Sequence, residues 1–389
     1  MAELSARCGT FTDSVIRRMT RICQKYGAVN LSQGFPDFDP PKELMDRLSQ
    51  VAYEGFHQYS ITWGARNFRE ALATKQSKLI GRDIDPEGEI VVTSGSTEAM
   101  MAAMLTVTNP GDRVIVFSPF YENYAADAIL SGAEPVFVNL NPPEFGFNRE
   151  ELERAFALKP KALILCNPSN PCGKVFTRDE LQYIADLAVK YDVFVITDEV
   201  YEHIVFPPNV HTYMSSLPGM WDRTISCGSL SKTYSVTGWR LGYIIAPKRI
   251  IDYARKVHDF LTVGAAAPLQ EAAVTALKFG EEYYKSLQNE YLRKRELFVN
   301  GLDRIGLRHT VPQGAYYVLV DISEFGYDDD LKFCEDLASV VGVGAVPGSS
   351  FFKNGSVKNY IRLHFAKRDE TLLEALDRLK TVREKLLKH

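Results

Sequence analysis

Seven short runs rich in apolar and β-branched residues, with helical patterns between them, constrain this chain more than any other feature. They are Ile90–Thr93, 113–117, 135–139, Ala162–Cys166, 193–197, 224–227 and 242–246. Most are unbroken apolar stretches rather than alternating ones, as expected of strands covered on both faces of a mainly parallel sheet. In the intervening segment 178–190, Leu181, Ile184, Ala185, Leu187 and Ala188 make one apolar helical face. Strands alternating with helices predict an α/β architecture built on a seven-stranded, mainly parallel sheet.

Beyond Pro268 the pattern changes. Helical stretches at 269–279 and 281–302 precede a strand at 315–321, a helix at 330–340, a strand at 359–365 and a closing helix at 370–387. This predicts a smaller α+β unit. The expected organisation is an N-terminal arm with part of the small domain over 1–40, a large domain over 41–290 and a small C-terminal domain over 291–389.

Composition narrows the function classes. The 389 residues are 46% hydrophobic and 24% charged, with a formal net charge of −4, an ordinary balance for a globular chain. The acidic balance argues against nucleic acid as the main partner. The densest basic stretch, 285–295, is interleaved with Glu290 and apolar residues and reads as a solvated helix face. Cys8, Cys23, Cys166, Cys172, Cys227 and Cys334 lack CxxC spacing; free thiols in a reducing cytoplasm are expected, and no metal site. The N-terminal residues are polar, and no apolar run approaches the length of a membrane span, so neither secretion nor a membrane partner is expected.

In open α/β sheets, ligands bind beyond the carboxyl ends of the strands, so the residues just after each run carry the functional argument. After Ile90–Thr93 comes Ser94-Gly95-Ser96-Thr97 and then a helical pattern. Small residues there free backbone N–H groups for a phosphate, with the Ser96 and Thr97 hydroxyls assisting; a plain helix cap explains them equally well. After Ala162–Cys166 comes Asn167-Pro168-Ser169-Asn170-Pro171-Cys172-Gly173, a rigid turn that presents the Asn170 amide. Asp198 and Tyr201 follow the fifth run, where a carboxylate partly out of water can hold a protonated ring nitrogen. After the sixth run stand Ser229, Lys232 and Arg240. An amine of lowered pKa beside a guanidinium suits one small anionic ligand, although two solvated cations would look the same. Any one of these motifs alone is weak.

Together they resemble the class I/II aminotransferases, the fold type I enzymes that depend on pyridoxal phosphate, along nearly the whole chain. The match runs from Gly34-Phe35-Pro36-Asp37-Phe38 through the Asn-Pro-x-Asn-Pro-x-Gly turn, Asp198-Glu199-x-Tyr201, Ser229-x-Ser231-Lys232 and Gly238-Trp239-Arg240 to Asn359-Tyr360-Ile361-Arg362-Leu363. The resemblance implies Lys232 as the Schiff-base lysine and proton shuttle of a ping-pong reaction between an amino acid and a 2-oxo acid. It implies Asp198 on the pyridinium nitrogen, Asn170 and Tyr201 on the phenolic oxygen, and Ser96, Thr97, Ser229 and Arg240 on the phosphate. Tyr121 would stack on the ring. Tyr59 would reach the phosphate of a second subunit, making the enzyme a homodimer. Arg362 would clamp the substrate carboxylate, helped by Asn170 and the backbone of Gly34.

Two departures bear on the substrate. No arginine lies between Lys256 and Arg293, the region from which classical aspartate enzymes draw a second carboxylate-binding arginine. Thr97 also stands where some bacterial aspartate enzymes carry a lysine. The segment 262–267 is small and apolar instead, which favours neutral donors such as aromatic amino acids, methionine, glutamine or kynurenine; Arg17 and Arg18 in the arm are the remaining candidates for a second carboxylate. An aspartate aminotransferase and a cysteine-S-conjugate β-lyase on the same fold are the alternative enzymes. A pyridoxal-phosphate-binding transcription regulator would need a DNA-binding module ahead of Gly34, for which the chain has little room.

Overall fold

The computed structural model describes residues 3–5, 9 and 14–387. Helix α1 (Val15–Tyr26) starts at Ser14, whose side chain accepts from the Arg17 N–H, and stops at Gly27. Directly after it, Val29 and Asn30 pair in parallel with Val343 and Gly344, which stitches the N-terminal segment to the C-terminal unit.

All seven expected strands are present: β1 (Ile90–Thr93), β2 (Arg113–Ser118), β3 (Glu134–Asn141), β4 (Ala162–Cys166), β5 (Phe194–Asp198), β6 (Thr224–Ser229) and β7 (Gly242–Ile245). Their order is β1-β7-β6-β5-β4-β2-β3. The pairs β2–β3, β2–β4, β4–β5 and β5–β6 are parallel, whereas β7 runs antiparallel to both β1 and β6. An eighth strand of two residues, Gly146–Phe147, pairs with the end of β3; so short a piece leaves no periodicity to read in the sequence.

The apolar runs serve both faces, because successive side chains in a strand point to opposite sides. Val116, Ile164, Ile196, Ile225 and Ile244 pack with Ala99, Ala103 and Met104 of helix α2 (Ser96–Val107) and with Ile251 and Ala254 of helix α4 (Lys248–Thr262). Helix α3 (Asn123–Leu130), which follows β2, adds Tyr124 and Ala128 to the same side. Ile115, Leu163, Leu165 and Val195 face the other way, against Leu181, Ile184, Ala185 and Ala188 of helix Arg178–Tyr191.

The C-terminal unit carries a second, antiparallel sheet of β8 (Tyr317–Asp321), β9 (Val346–Pro347) and β10 (Tyr360–His364), ordered β8-β10-β9. The helix expected at 330–340 is an α-helix over Asp330–Asp336 that continues as a π turn over Leu337–Val341. The closing helix is split into Asp369–Leu379 and Val382–Leu386. The residue chosen from sequence as the domain division, 290/291, falls inside one unbroken helix, α5 (Glu281–Ile305). Tyr283 and Tyr284 near its start pack on the cluster containing Leu72 and Tyr243, while Tyr291, Phe298 and Leu302 belong to the cluster of β8 and β10. A division near that point is proposed on the change of packing partner.

Among the described residues, no helix is long and apolar enough to cross a membrane. Cys23, Cys166, Cys172, Cys227 and Cys334 are buried free thiols; Cys8 lies outside the described residues.

Candidate active site

The reversed direction of β7 gathers one side of the site. Thr93 at the end of β1 and Ser229 at the end of β6 both lie opposite Gly242, the first residue of β7. The turn entering α2, the Ser229 hydroxyl and Arg240, two residues before β7, therefore meet at one sheet edge. The start of α2 has no side-chain cap, which leaves its first N–H groups and the positive end of its dipole facing outwards. A Cβ at Gly95, whose φ is 86°, would fall 2.3 Å from Arg240 Nη2. The guanidinium can lie against this turn only because residue 95 is glycine. The Ser229 oxygen accepts from the Ser231 N–H at 3.0 Å and meets Ser231 Oγ at 2.7 Å and Leu241 O at 3.0 Å.

The centre of the site holds Lys232 and Asp198. Cys166 of β4 pairs with Asp198 of β5, so the Asn167–Gly173 turn and the acidic strand end are neighbours. Asp198 is buried; its Oδ2 accepts from the Tyr124 phenol at 2.7 Å. Burial raises its pKa, opposed by the Tyr124 hydrogen bond, the Val200 N–H and the charge of Lys232. The half-buried Lys232 amine donates to the Gly34 carbonyl at 3.2 Å. Loss of water, set against the attraction of Asp198 and reinforced by the cations of Arg240 and Arg362, brings its pKa down to about 8.

The far wall comes from the C-terminal sheet. Arg362 of β10 is 1% exposed. Its Nη1 donates to Asn170 Oδ1 at 2.7 Å and its Nη2 to the Ser32 carbonyl at 2.8 Å, while Nε is buried without a partner. The guanidinium lies 4.3 Å from the Tyr317 ring centre and 4.6 Å from that of Phe351. Because Asn170 spends its oxygen on Arg362, its NH₂ is left to donate elsewhere. The Tyr201 and Tyr317 phenols are 2.9 Å apart, and burial holds the Tyr201 pKa well above its ordinary value. The Tyr316 phenol donates to the Gly34 carbonyl at 2.8 Å, and a Cβ at Gly34 would strike the Tyr317 phenol at 2.2 Å. The Tyr121 ring meets Tyr124 edge-on at 5.7 Å and feels the charges of Asp198 and Arg362.

Residues 26–379 match the family described as aminotransferase class I and II. The chain belongs to that family. This aminotransferase is 37% identical over 367 residues to the methionine aminotransferase of Escherichia coli (strain K12), covering 94% of this chain and 95% of that one. It is 36% identical to the kynurenine–oxoglutarate transaminase of Dictyostelium discoideum, over 96% and 95% of the two chains. The structure of the N-succinyldiaminopimelate aminotransferase from Mycobacterium tuberculosis superposes with a TM-score of 0.94 at 36% identity, over 98% of this chain and 100% of the other.

Aminotransferases of this family and fold are pyridoxal-phosphate-dependent enzymes that act on amino acids and 2-oxo acids. The residues of this site fit that group. An amine of lowered pKa, a buried carboxylate, two phenol or amide donors and an uncapped helix start with a guanidinium against it match an aldehyde, a ring nitrogen, a ring oxygen and a phosphate. Among the described residues, no cluster of His, Cys, Asp and Glu is placed to hold a metal ion.

Of the site residues read from the sequence, Gly34, Ser96, Thr97, Tyr121, Asn170, Asp198, Tyr201, Ser229, Lys232, Arg240 and Arg362 all lie around this sheet edge. Tyr59 does not: its ring is 87% exposed, and among the described residues no hydrogen bond or ring contact ties it to the others. Sequence reasoning missed Tyr124, Tyr316 and Tyr317. A second tyrosine three residues after Tyr121, at Tyr124, was a usable signal. The Tyr316-Tyr317 pair was absorbed into a strand.

Proposed function

We propose that this aminotransferase moves the amino group of a neutral L-amino acid, of the aromatic, methionine, glutamine or kynurenine kind, to a 2-oxo acid in two half-reactions at Lys232. The observation carrying the reading is the setting of the Lys232 amine, withdrawn from water between one carboxylate and two guanidiniums. A pKa of about 8 leaves roughly a tenth of the amine unprotonated at pH 7, enough to take and return a proton.

Pyridoxal phosphate, when bound, supplies the electron sink that makes the substrate Cα–H acidic. The chain's own residues do the rest. Lys232 carries the proton to and from the substrate Cα. Asp198 keeps a proton on the ring nitrogen by charge. Tyr201 and the free NH₂ of Asn170 donate to the ring oxygen, and Tyr121 covers the ring face. Ser96, Thr97, Ser229 and Arg240 hold the phosphate. Arg362, preset by Asn170 and Ser32, presents its fork to the α-carboxylate, and the Gly34 backbone lines the same wall.

The neutral-donor reading has three supports. Arg18 is committed to Glu335 at 2.6 Å. Arg362 is flanked by aromatic rings. Glu122, beside Tyr121, adds its negative charge to burial in raising that phenol's pKa, and the same charge opposes a second carboxylate.

The reading includes a homodimer. Tyr59 (87% exposed), Tyr53 (92%), Phe260 (91%) and Val263 (46%) are large apolar side chains left exposed in one copy. Burying such side chains against a second copy would deliver Tyr59 to the partner's phosphate site. Buried free thiols favour a cytoplasmic location. The test is a panel of half-reactions that follows cofactor absorbance as phenylalanine, methionine, glutamine, kynurenine or aspartate is added. Neutral donors are expected to react faster than aspartate. A preference for aspartate overturns the substrate reading and leaves the family assignment in place.

A further inference from the structure

A buried ion pair stands behind the turn that opens α2. Glu98, in the first turn of that helix, is 9% exposed, and His258 of α4 is 0% exposed. Glu98 Oε2 accepts from the Ser94 N–H at 2.5 Å. Glu98 Oε1 meets His258 Nδ1 at 2.5 Å and accepts from the Thr262 hydroxyl at 2.9 Å. On its other side, His258 Nε2 meets the Thr62 carbonyl at 2.8 Å. Both ring nitrogens therefore face acceptors, the pattern of a doubly protonated imidazolium. Burial by itself lowers the imidazole pKa, but the hydrogen bond and charge of Glu98, the Thr62 carbonyl and the charge of Asp259 outweigh it and leave it raised.

Two consequences follow from charge and position. A carboxylate in the first turn of a helix competes with any anion bound at that helix end; the imidazolium cancels that charge while Glu98 keeps its grip on the Ser94 N–H. Thr62 lies three residues after Tyr59, and the same loop is held at Ser60 and Ala65 by the Gln270 side chain, at 3.2 and 2.8 Å. One buried pair thus ties the turn carrying Ser96 and Thr97 to the loop carrying Tyr59.

We propose that Glu98 and His258 are positioning residues for phosphate recognition, neutralising the start of α2 and locking its turn to the Tyr59 loop. This rests on the reading of that turn and Arg240 as the phosphate site.

The test measures dissociation constants of the cofactor-free dimer for pyridoxal phosphate and for pyridoxal by quenching of protein fluorescence. The ratio of the pyridoxal constant to the pyridoxal phosphate constant isolates phosphate recognition from everything the ligands share. His258→Ala leaves the Glu98 charge uncompensated and is expected to lower the ratio about tenfold while changing pyridoxal affinity less than about twofold. Adding Glu98→Gln to His258→Ala removes the uncompensated charge and is expected to restore most of the ratio. Equal losses for both ligands, or no recovery in the double variant, overturn the proposal as a general structural lesion. Should His258→Ala not fold, His258→Gln, which keeps a donor without the charge, is measured in its place; an unchanged ratio there overturns the proposal too. Arg240→Ala separates the two levels. If it leaves the ratio unchanged, the phosphate reading itself fails. If it collapses the ratio while His258→Ala does not, only the role of the pair fails.

Discussion

Arg362→Lys isolates the recognition that every substrate of an aminotransferase shares. The guanidinium is 1% exposed and held by two charge-assisted hydrogen bonds, to Asn170 at 2.7 Å and Ser32 at 2.8 Å. It lies 4.3 Å from the Tyr317 ring centre and 4.6 Å from that of Phe351. A lysine ammonium can satisfy one of those acceptors but cannot also present a planar fork to a carboxylate. Each hydrogen bond to a charged group is worth about 1.5–3 kcal/mol, and truncating one partner of a desolvated pair costs about 2–5 kcal/mol. The expected fall in kcat/KM is therefore about 30-fold to several thousand-fold. The assay is kcat/KM for phenylalanine, methionine, glutamine, kynurenine and aspartate in wild type and variant. Because all five carry the same α-carboxylate, all five should fall together. A loss confined to one donor would show that Arg362 reads side chains, and the reasoning from its geometry would be refuted.

Borohydride reduction of the loaded enzyme should fix a pyridoxyl adduct on Lys232 and on no other lysine, as read by peptide mass spectrometry; an adduct elsewhere removes Lys232 from its proposed role. Tyr124→Phe deletes the hydrogen bond that lowers the Asp198 pKa, so that pKa should rise. Since the carboxylate is the working form, the acid limb of the kcat profile should move to higher pH by the same amount, and an unmoved limb counts against the contact. Mixing inactive Tyr59→Ala and Lys232→Ala variants should regain activity through hybrid dimers having one intact site. Demonstrated hybrids without activity would refute the shared site.

How much of this was legible in the sequence depended on the range of the contact. The strands were readable because a stretch such as Ala162–Cys166, covered on both faces, can only be apolar throughout. The chemistry was readable because Asn170, Asp198 and Lys232 stand immediately after such stretches. The direction of β7 was not legible, since four buried residues look the same whichever way they run. Tyr124 and Asp198 are 74 positions apart and Tyr201 and Tyr317 are 116 apart, so no local pattern joins them. Glu98 and His258, 160 apart, each looked like an ordinary helix residue. Tyr316 and Tyr317 carried an apolar signal that fitted a strand, and their phenols became informative only once Gly34 was seen beneath them.

The reversed β7 also bears on how the chain is made. Thr93 and Ser229 have no neighbour in common until Gly242 has been synthesised and inserted between them. Before that moment β1 lacks its hydrogen-bonding partner, and β6 presents an unpaired edge on the side β7 will take. Arg362 and the Tyr316-Tyr317 pair emerge later still. A ribosome-bound chain therefore carries most of its sheet before β7 closes the phosphate side of the site, and the wall that meets the substrate carboxylate follows only in the last quarter of synthesis. In that interval, the open β6 edge is the segment most in need of protection from other nascent chains.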